Sequence, residues 1–220
     1  IYRGEVPHRD FFQFYPPMAA YVQALFFKLF SPTIFAVRML GTFYGILLLA
    51  ASYLLYRRFI SNPLHMALGL LPLVIWGGGI WQFGSHHWLV DILQVFGMLI
   101  LLESMETSSV KLAVISGALF GLGAFTLQDQ GGYAVIGLAA LSLFVQKKER
   151  KIFLCAVLSS GASFLLLCLP LVFTAGIPKL YGDWISFPLH NYTKPSGNKL
   201  VLSQVARGFL SNWDLGVMTS

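Results

Sequence analysis

The chain has 220 residues, of which 56% are hydrophobic and only 11% charged, with a mean hydropathy of +0.70. Soluble domains carry roughly a quarter charged residues, so this composition excludes disorder, coiled coil, collagen and nucleic-acid-binding modules. The net charge of +6 arises from 15 Lys and Arg against 9 Asp and Glu, and the positions of those charges point to a polytopic helical membrane protein. Cys155 and Cys168 lie within apolar runs and read as small buried hydrophobes.

Residues 1–17 lack the apolar core and cleavage site of a signal peptide. With no initiating Met, the chain reads as an internal piece of a longer polypeptide. Residues 17–31 (PMAAYVQALFFKLFS) are apolar but short and contain Lys28. They are expected to form a helix lying at the interface or partly re-entrant. A helix crossing about 30 Å of hydrocarbon needs roughly 20 apolar residues. That length predicts six spans at about 34–56, 64–82, 88–103, 111–127, 132–146 and 152–175, the shorter ones relying on the bundle around them. The expected architecture is all-α and polytopic. An outer-face loop and interfacial helix cover 1–33, a transmembrane bundle covers 34–175, and an outer loop with short helices covers 176–220, with amphipathic pieces near 179–187 and 200–210.

Six alternating spans place Arg57, Arg58, Lys111, Lys147, Lys148, Arg150 and Lys151 on one side, which the positive-inside rule assigns to the cytoplasm. No internal repeat is visible. Asn191-Tyr192-Thr193 fits the short glycosylation acceptor pattern.

Ionisable groups at membrane depth are expensive and mark function. Asp91 follows Ser85-His86-His87-Trp88 at the outer mouth of the third span. A carboxylate beside imidazoles suits a divalent metal or a metal-held phosphate, and equally an interfacial Asp favoured by a helix N-terminus. His86 and His87 are adjacent and do not share a helix face. Asp10 lies in VPHRDFFQFYPP with His8, Arg9, Gln13 and Tyr15. Such a loop suits a lipid-linked polar head, or an ordinary aromatic belt. Gln128-Asp129-Gln130 with Gly131-Gly132 reads as a tight outer turn whose amides are candidates for sugar hydroxyls or phosphate. Arg38, early in the first span, is either a phosphate partner or a headgroup anchor. The glycines of GALFGLGAF (Gly117, Gly121, Gly123) point to close helix packing. No P-loop, GxSxG, HExxH or CxxC is present.

The segment with Gly4, Pro7, Asp10, Phe11, Pro16, Pro17, Ala36 and Arg38 resembles the start of the polyprenyl-phosphate-sugar glycosyltransferases of the GT-C superfamily. Protein O-mannosyltransferases (glycosyltransferase family 39) and lipid A aminoarabinose transferases belong to that group. GALFGLGAFTLQDQGGYAV resembles a later segment of the same enzymes. The family often has Lys before its Pro-Pro, where this chain has Tyr15.

The resemblance implies sugar transfer from a polyprenyl-phosphate carrier to an acceptor on the outer face of a bacterial cytoplasmic membrane, with an acid as general base. The family's primary acid falls before Ile1, and Asp91 matches its second. Asp91 and Asp10 are then the catalytic candidates, and Arg38, His86, His87, Tyr15, Gln128 and Gln130 the substrate-binding ones. Asp10, Asp91 and the Gln128-Asp129-Gln130 stretch, placed on the same side by the topology, are expected around one outer cavity, with Asp91 the candidate ligand of any divalent metal cofactor. Expected partners are the donor and membrane lipids, with no nucleic acid. The alternatives are a non-catalytic membrane subunit in a larger complex and a small-solute or lipid transporter.

Overall fold

A computed structural model describes residues 1–13, 15–80 and 85–192. Those residues are all-helical, in the order α1 (Met18–Phe30), α2 (Ile34–Tyr56), α3 (Pro63–Ile80), α4 (His86–Thr107), α5 (Val110–Ala124), α6 (Gln128–Phe144), α7 (Lys147–Ala175), α8 (Ile177–Tyr181), a π-helical turn at Gly182–Ser186 and α9 (Phe187–Tyr192). The expected amphipathic stretch at 200–210 and Thr193 of the glycosylation pattern lie outside the described residues.

Helices fall on all six expected intervals, but the six-span expectation is corrected in number. Among the described residues three helical segments are long and apolar enough to cross a membrane: Ile34–Tyr56, His86–Thr107 and Glu149–Ala175. The physical reason is length. The 15 residues of α5 extend about 22 Å at 1.5 Å per residue, short of a hydrocarbon core. The 17 residues of α6 begin with three polar side chains.

Local signals set the boundaries. The Thr33 hydroxyl accepts the Ala36 amide at 3.2 Å, capping α2; Ser85 accepts from His87 at 3.3 Å and starts α4; Ser109 caps α5 through the Leu112 amide at 3.4 Å. Each hydroxyl satisfies a donor that the first helical turn leaves without an intrahelical partner.

Helices α2 and α4 run parallel. Leu40, Tyr44 and Leu48 pack with Leu89 and Ile92, and just past the end of α2 Arg58 pairs with both Glu103 and Glu106 near the end of α4. Helices α4 and α5 are antiparallel, joined where the Ser116 hydroxyl donates to the Gly97 carbonyl at 2.7 Å. Helix α7 lies directly on α5. A Cβ at Gly117 would stand 2.1 Å from the Ala156 carbonyl oxygen, and one at Gly121 would stand 2.4 Å from that of Ser160. Those two glycines therefore let the backbones touch. A Cβ at Gly123 would meet Val90 at 3.5 Å and Gln94 at 3.9 Å, both ordinary contacts.

The main core cluster (Leu101, Ala113, Phe120, Leu138, Ile152, Phe153, Ala156) ties α4, α5, α6 and α7 together. It also brings the start of α5, the end of α4 and the start of α7 to one end of the bundle. Arg57, Arg58, Lys111, Lys147, Arg150 and Lys151 belong to that basic end. There Arg150 donates to the Ser142 and Leu143 carbonyls at 3.1 and 3.3 Å, capping the end of α6. At the opposite end sit residues 1–13 and 15–17, the starts of α4 and α6, and α8 with the turn that follows it.

The Met18, Ala19, Val22 and Phe26 face of α1 covers the α2–α4 cluster, leaving Tyr21, Leu25 and Leu29 exposed beside Lys28. The exposed face is thus largely apolar too, with Lys28 at its edge.

Candidate functional site

Asp91 lies a turn and a half into α4, half-buried at the end of the bundle away from the basic residues. Its carboxylate accepts the Gln130 side-chain amide at 2.5 Å. The Gln130 main-chain carbonyl in turn accepts the side-chain amide of Gln94 at 3.2 Å. Asp91 and Gln94, three residues apart, share a helix face, so α4 presents two polar groups to the first turn of α6.

That turn corrects one expectation. Gln128-Asp129-Gln130 is not a turn between helices but the start of α6; the chain reverses at 125–127, with Leu127 extended at φ −149°. Asp129 suits a first helical turn because the N-terminal dipole favours an anion, and its carboxylate accepts the Gln130 amide at 2.7 Å. Gly131 is required for packing. A Cβ there would stand 2.4 Å from the Ala124 backbone, so the α5–α6 hairpin closes tightly enough to carry Gln130 to Asp91. Gln128 is half-buried beside this turn.

His86 and His87 begin α4. The Tyr15 ring lies 4.6 Å from that of His86, which lies 4.4 Å from His87, both pairs tilted by under 40°. The three rings form a short stack that leads from the N-terminal loop to α4. Asp129 acts electrostatically on His86, and His87 on Asp91. Among the described residues the buried Nε2 of His86 has no hydrogen-bond partner, which leaves a polar atom at this site to be satisfied.

Asp10 and Arg38 make their bonds elsewhere. Among the described residues no hydrogen bond or ion pair joins either to Asp91. The Asp10 carboxylate accepts from the Val6 amide at 2.7 Å and from Arg9 at 2.8 and 2.9 Å. The Arg9 guanidinium, and then the Val6 amide, hold its carboxyl down at about 2. The Arg38 side chain is exposed on α2, and its carbonyl accepts the Thr42 hydroxyl at 3.1 Å.

Among the described residues no group of three or more His, Cys, Asp or Glu side chains is arranged to hold a metal ion. At the α4–α6 junction Asp91 and Asp129 offer anionic oxygens, and a metal held by Asp91 would need further ligands from substrate or water.

Below the Asp91 group a cleft of about 370 Å³ runs between α4, α5 and α6 towards the end of α2. Gln94 stands in its wall with apolar neighbours from Val95 and Met98 to Leu138 and Leu141. Sequence reasoning did not anticipate Gln94; its spacing of three from Asp91 on one helix was the available signal. It also treated His8 only as one polar residue of the Asp10 loop, and Lys179, Asp183 and Trp184 as an amphipathic piece. In the structure these four form a cluster of their own around the buried pair His8 and Asp183, with Lys179 exposed at its edge.

No protein-family model, curated protein or solved structure matches the chain.

Proposed function

We propose that the chain is the membrane bundle of a glycosyltransferase, moving a sugar from a polyprenyl-phosphate carrier to an acceptor hydroxyl at the end of the bundle opposite its basic residues. The carrying observation is that Gln94 belongs both to the polar group on Asp91 and to the wall of the apolar cleft. A polyprenyl-phosphate sugar is an amphiphile of matching form. Its hydrocarbon would follow the cleft while its phosphate and sugar stay with Asp91, Gln130 and the His86–Tyr15 stack. The GT-C resemblance of the N-terminal segment supports the same assignment.

In this reading α2, α4 and α7 cross a bacterial cytoplasmic membrane with the shorter α3, α5 and α6 packed beside them, the basic end faces the cytoplasm and the Asp91 end faces out. Asp91 takes the acceptor's O–H proton as that oxygen bonds to the anomeric carbon. The bond from that carbon to the carrier's phosphate oxygen breaks, and polyprenyl phosphate leaves with a second negative charge. The exposed Arg38 guanidinium is the candidate counter-charge.

A non-catalytic subunit is the second reading. The bond from Gln130 to Asp91 favours it, since that contact alone would give the carboxylate a structural task in joining α6 to α4. Labelled-sugar transfer from lipid carriers by the intact protein in proteoliposomes separates the two. Transfer supports the enzyme, and none from any carrier of several sugars and chain lengths supports the subunit.

A further inference from the structure

A second polar cluster lies apart from Asp91. His8 is buried, at 1% exposure, and its backbone occupies the left-handed region at φ 65°. Its Nδ1 is 2.9 Å from the Asp183 carboxylate, and its Nε2 accepts the Trp184 indole N–H at 3.1 Å. An indole nitrogen only donates, so Nε2 carries no proton and the ring's N–H lies on Nδ1, directed at Asp183. The other Asp183 oxygen accepts the Lys179 ammonium at 2.7 Å. Asp183 is itself only 4% exposed, and a buried carboxylate persists when its oxygens are filled in this way.

Phe12 adds a second attachment. Its ring lies 4.7 Å from Phe187 and 5.6 Å below the Lys179 ammonium. His8 and Phe12 thus dock on the 179–187 segment, and three residues after Phe12 the same stretch of chain lays Tyr15 on His86.

We propose that the N-terminal segment carrying His8, Phe12 and Tyr15 is a strap latched by His8 onto Asp183 and Trp184, and that this latch seats Tyr15 over His86 to close one side of the Asp91 site. Directional bonds at both ring nitrogens fix one orientation of the loop, which greasy packing alone would not. A non-glycine residue at positive φ persists only where its surroundings over-determine it, and His8 meets that condition. Lys179 completes Asp183, so His8, Lys179, Asp183 and Trp184 are positioning residues. What the closed site does rests on the glycosyltransferase reading; the latch does not.

The test uses the full chain in phospholipid nanodiscs. Carbethoxylation of His86 by diethyl pyrocarbonate is followed by peptide mass spectrometry, with the exposed His65 as internal reference. His8→Phe removes both ring bonds, and Trp184→Phe removes only one. His86 should react at least fivefold faster in His8→Phe and by an intermediate factor in Trp184→Phe, with His65 unchanged. His8→Asn keeps a donor for Asp183 and should restore part of the protection. Hydrogen exchange should accelerate at the His8 and Asp10 amides, bonded to Phe11 and Val6, while α4 to α7 keep theirs. Equal His86 reactivity in wild type and His8→Phe would overturn the latch, as would loss of protection throughout the bundle in all three variants. Under the enzyme reading the donor KM should also rise in His8→Phe. A wild type that transfers no sugar would remove that reading while the labelling still decides the latch.

Discussion

Gln130 donates its side-chain amide to Asp91 at 2.5 Å, across the junction of α6 and α4. A half-buried carboxylate on a helix long and apolar enough to cross a membrane is costly without a partner, and Gln130 supplies one. The same residue's carbonyl is held by Gln94, so the two helices are joined by a polar ladder where the apolar cleft begins.

Gln130→Leu should therefore destabilise the bundle by about 1–3 kcal/mol, the usual effect of leaving a buried polar group unpaired. Asp91→Asn should destabilise it much less, since an amide oxygen still accepts from Gln130. Denaturant unfolding in mixed micelles measures both, and equal losses would contradict the ladder.

The α5–α7 contact gives a sharper contrast. A Cβ at Gly117 meets the Ala156 carbonyl oxygen at 2.1 Å, whereas one at Gly132 meets nothing within 4 Å. Gly117→Ala should cost about 1–3 kcal/mol through overpacking. Gly132→Ala, inside α6, should stabilise by roughly 0.5–1 kcal/mol through helix propensity. The same unfolding measurement reports both signs.

This contrast also marks how far the sequence reads. Gly117 and Gly121 were legible as packing glycines because small residues one helical turn apart on an apolar segment allow close approach. Gly123 was not separable from them, since spacing does not say which face meets α7. The first span coincides with α2 because an apolar run between Thr33 and Arg57 has strong signals at both ends. Gln128-Asp129-Gln130 was misread because glycine and polar residues together resemble a turn. In the structure Gly131 serves the hairpin's close approach, and the helix begins three residues earlier. The bond from His8 to Asp183 joins residues 175 apart, and no local pattern announces such a pair.

Asp10 gives a pH prediction. Its carboxyl ionises at about 2 in the folded chain, below the ordinary 3.8, chiefly because Arg9 bonds to it. A depressed value means the ionised group favours the folded loop. That contribution is complete above the ordinary carboxylate range and is lost as pH falls towards 2. The Val6 amide, bonded to Asp10, should show an NMR shift titrating with a midpoint near 2. A midpoint near 4 would contradict the contact.

Arg38→Lys keeps the positive charge and loses the planar fork that matches phosphate oxygens. It should raise the KM for a polyprenyl-phosphate donor by several-fold and leave the unfolding midpoint unchanged, because the side chain is exposed. Unaltered donor kinetics would remove Arg38 from the site.

The central claim is that Asp91 performs chemistry at the α4–α6 junction, and the most direct test is sugar transfer by Asp91→Asn in proteoliposomes at matched protein abundance. The substitution keeps the size of the side chain and its acceptor for Gln130 but removes the base. Turnover should fall by about 10²–10⁴-fold, the usual contribution of a general base, with folding and donor KM little changed. Wild-type turnover in Asp91→Asn would contradict the account.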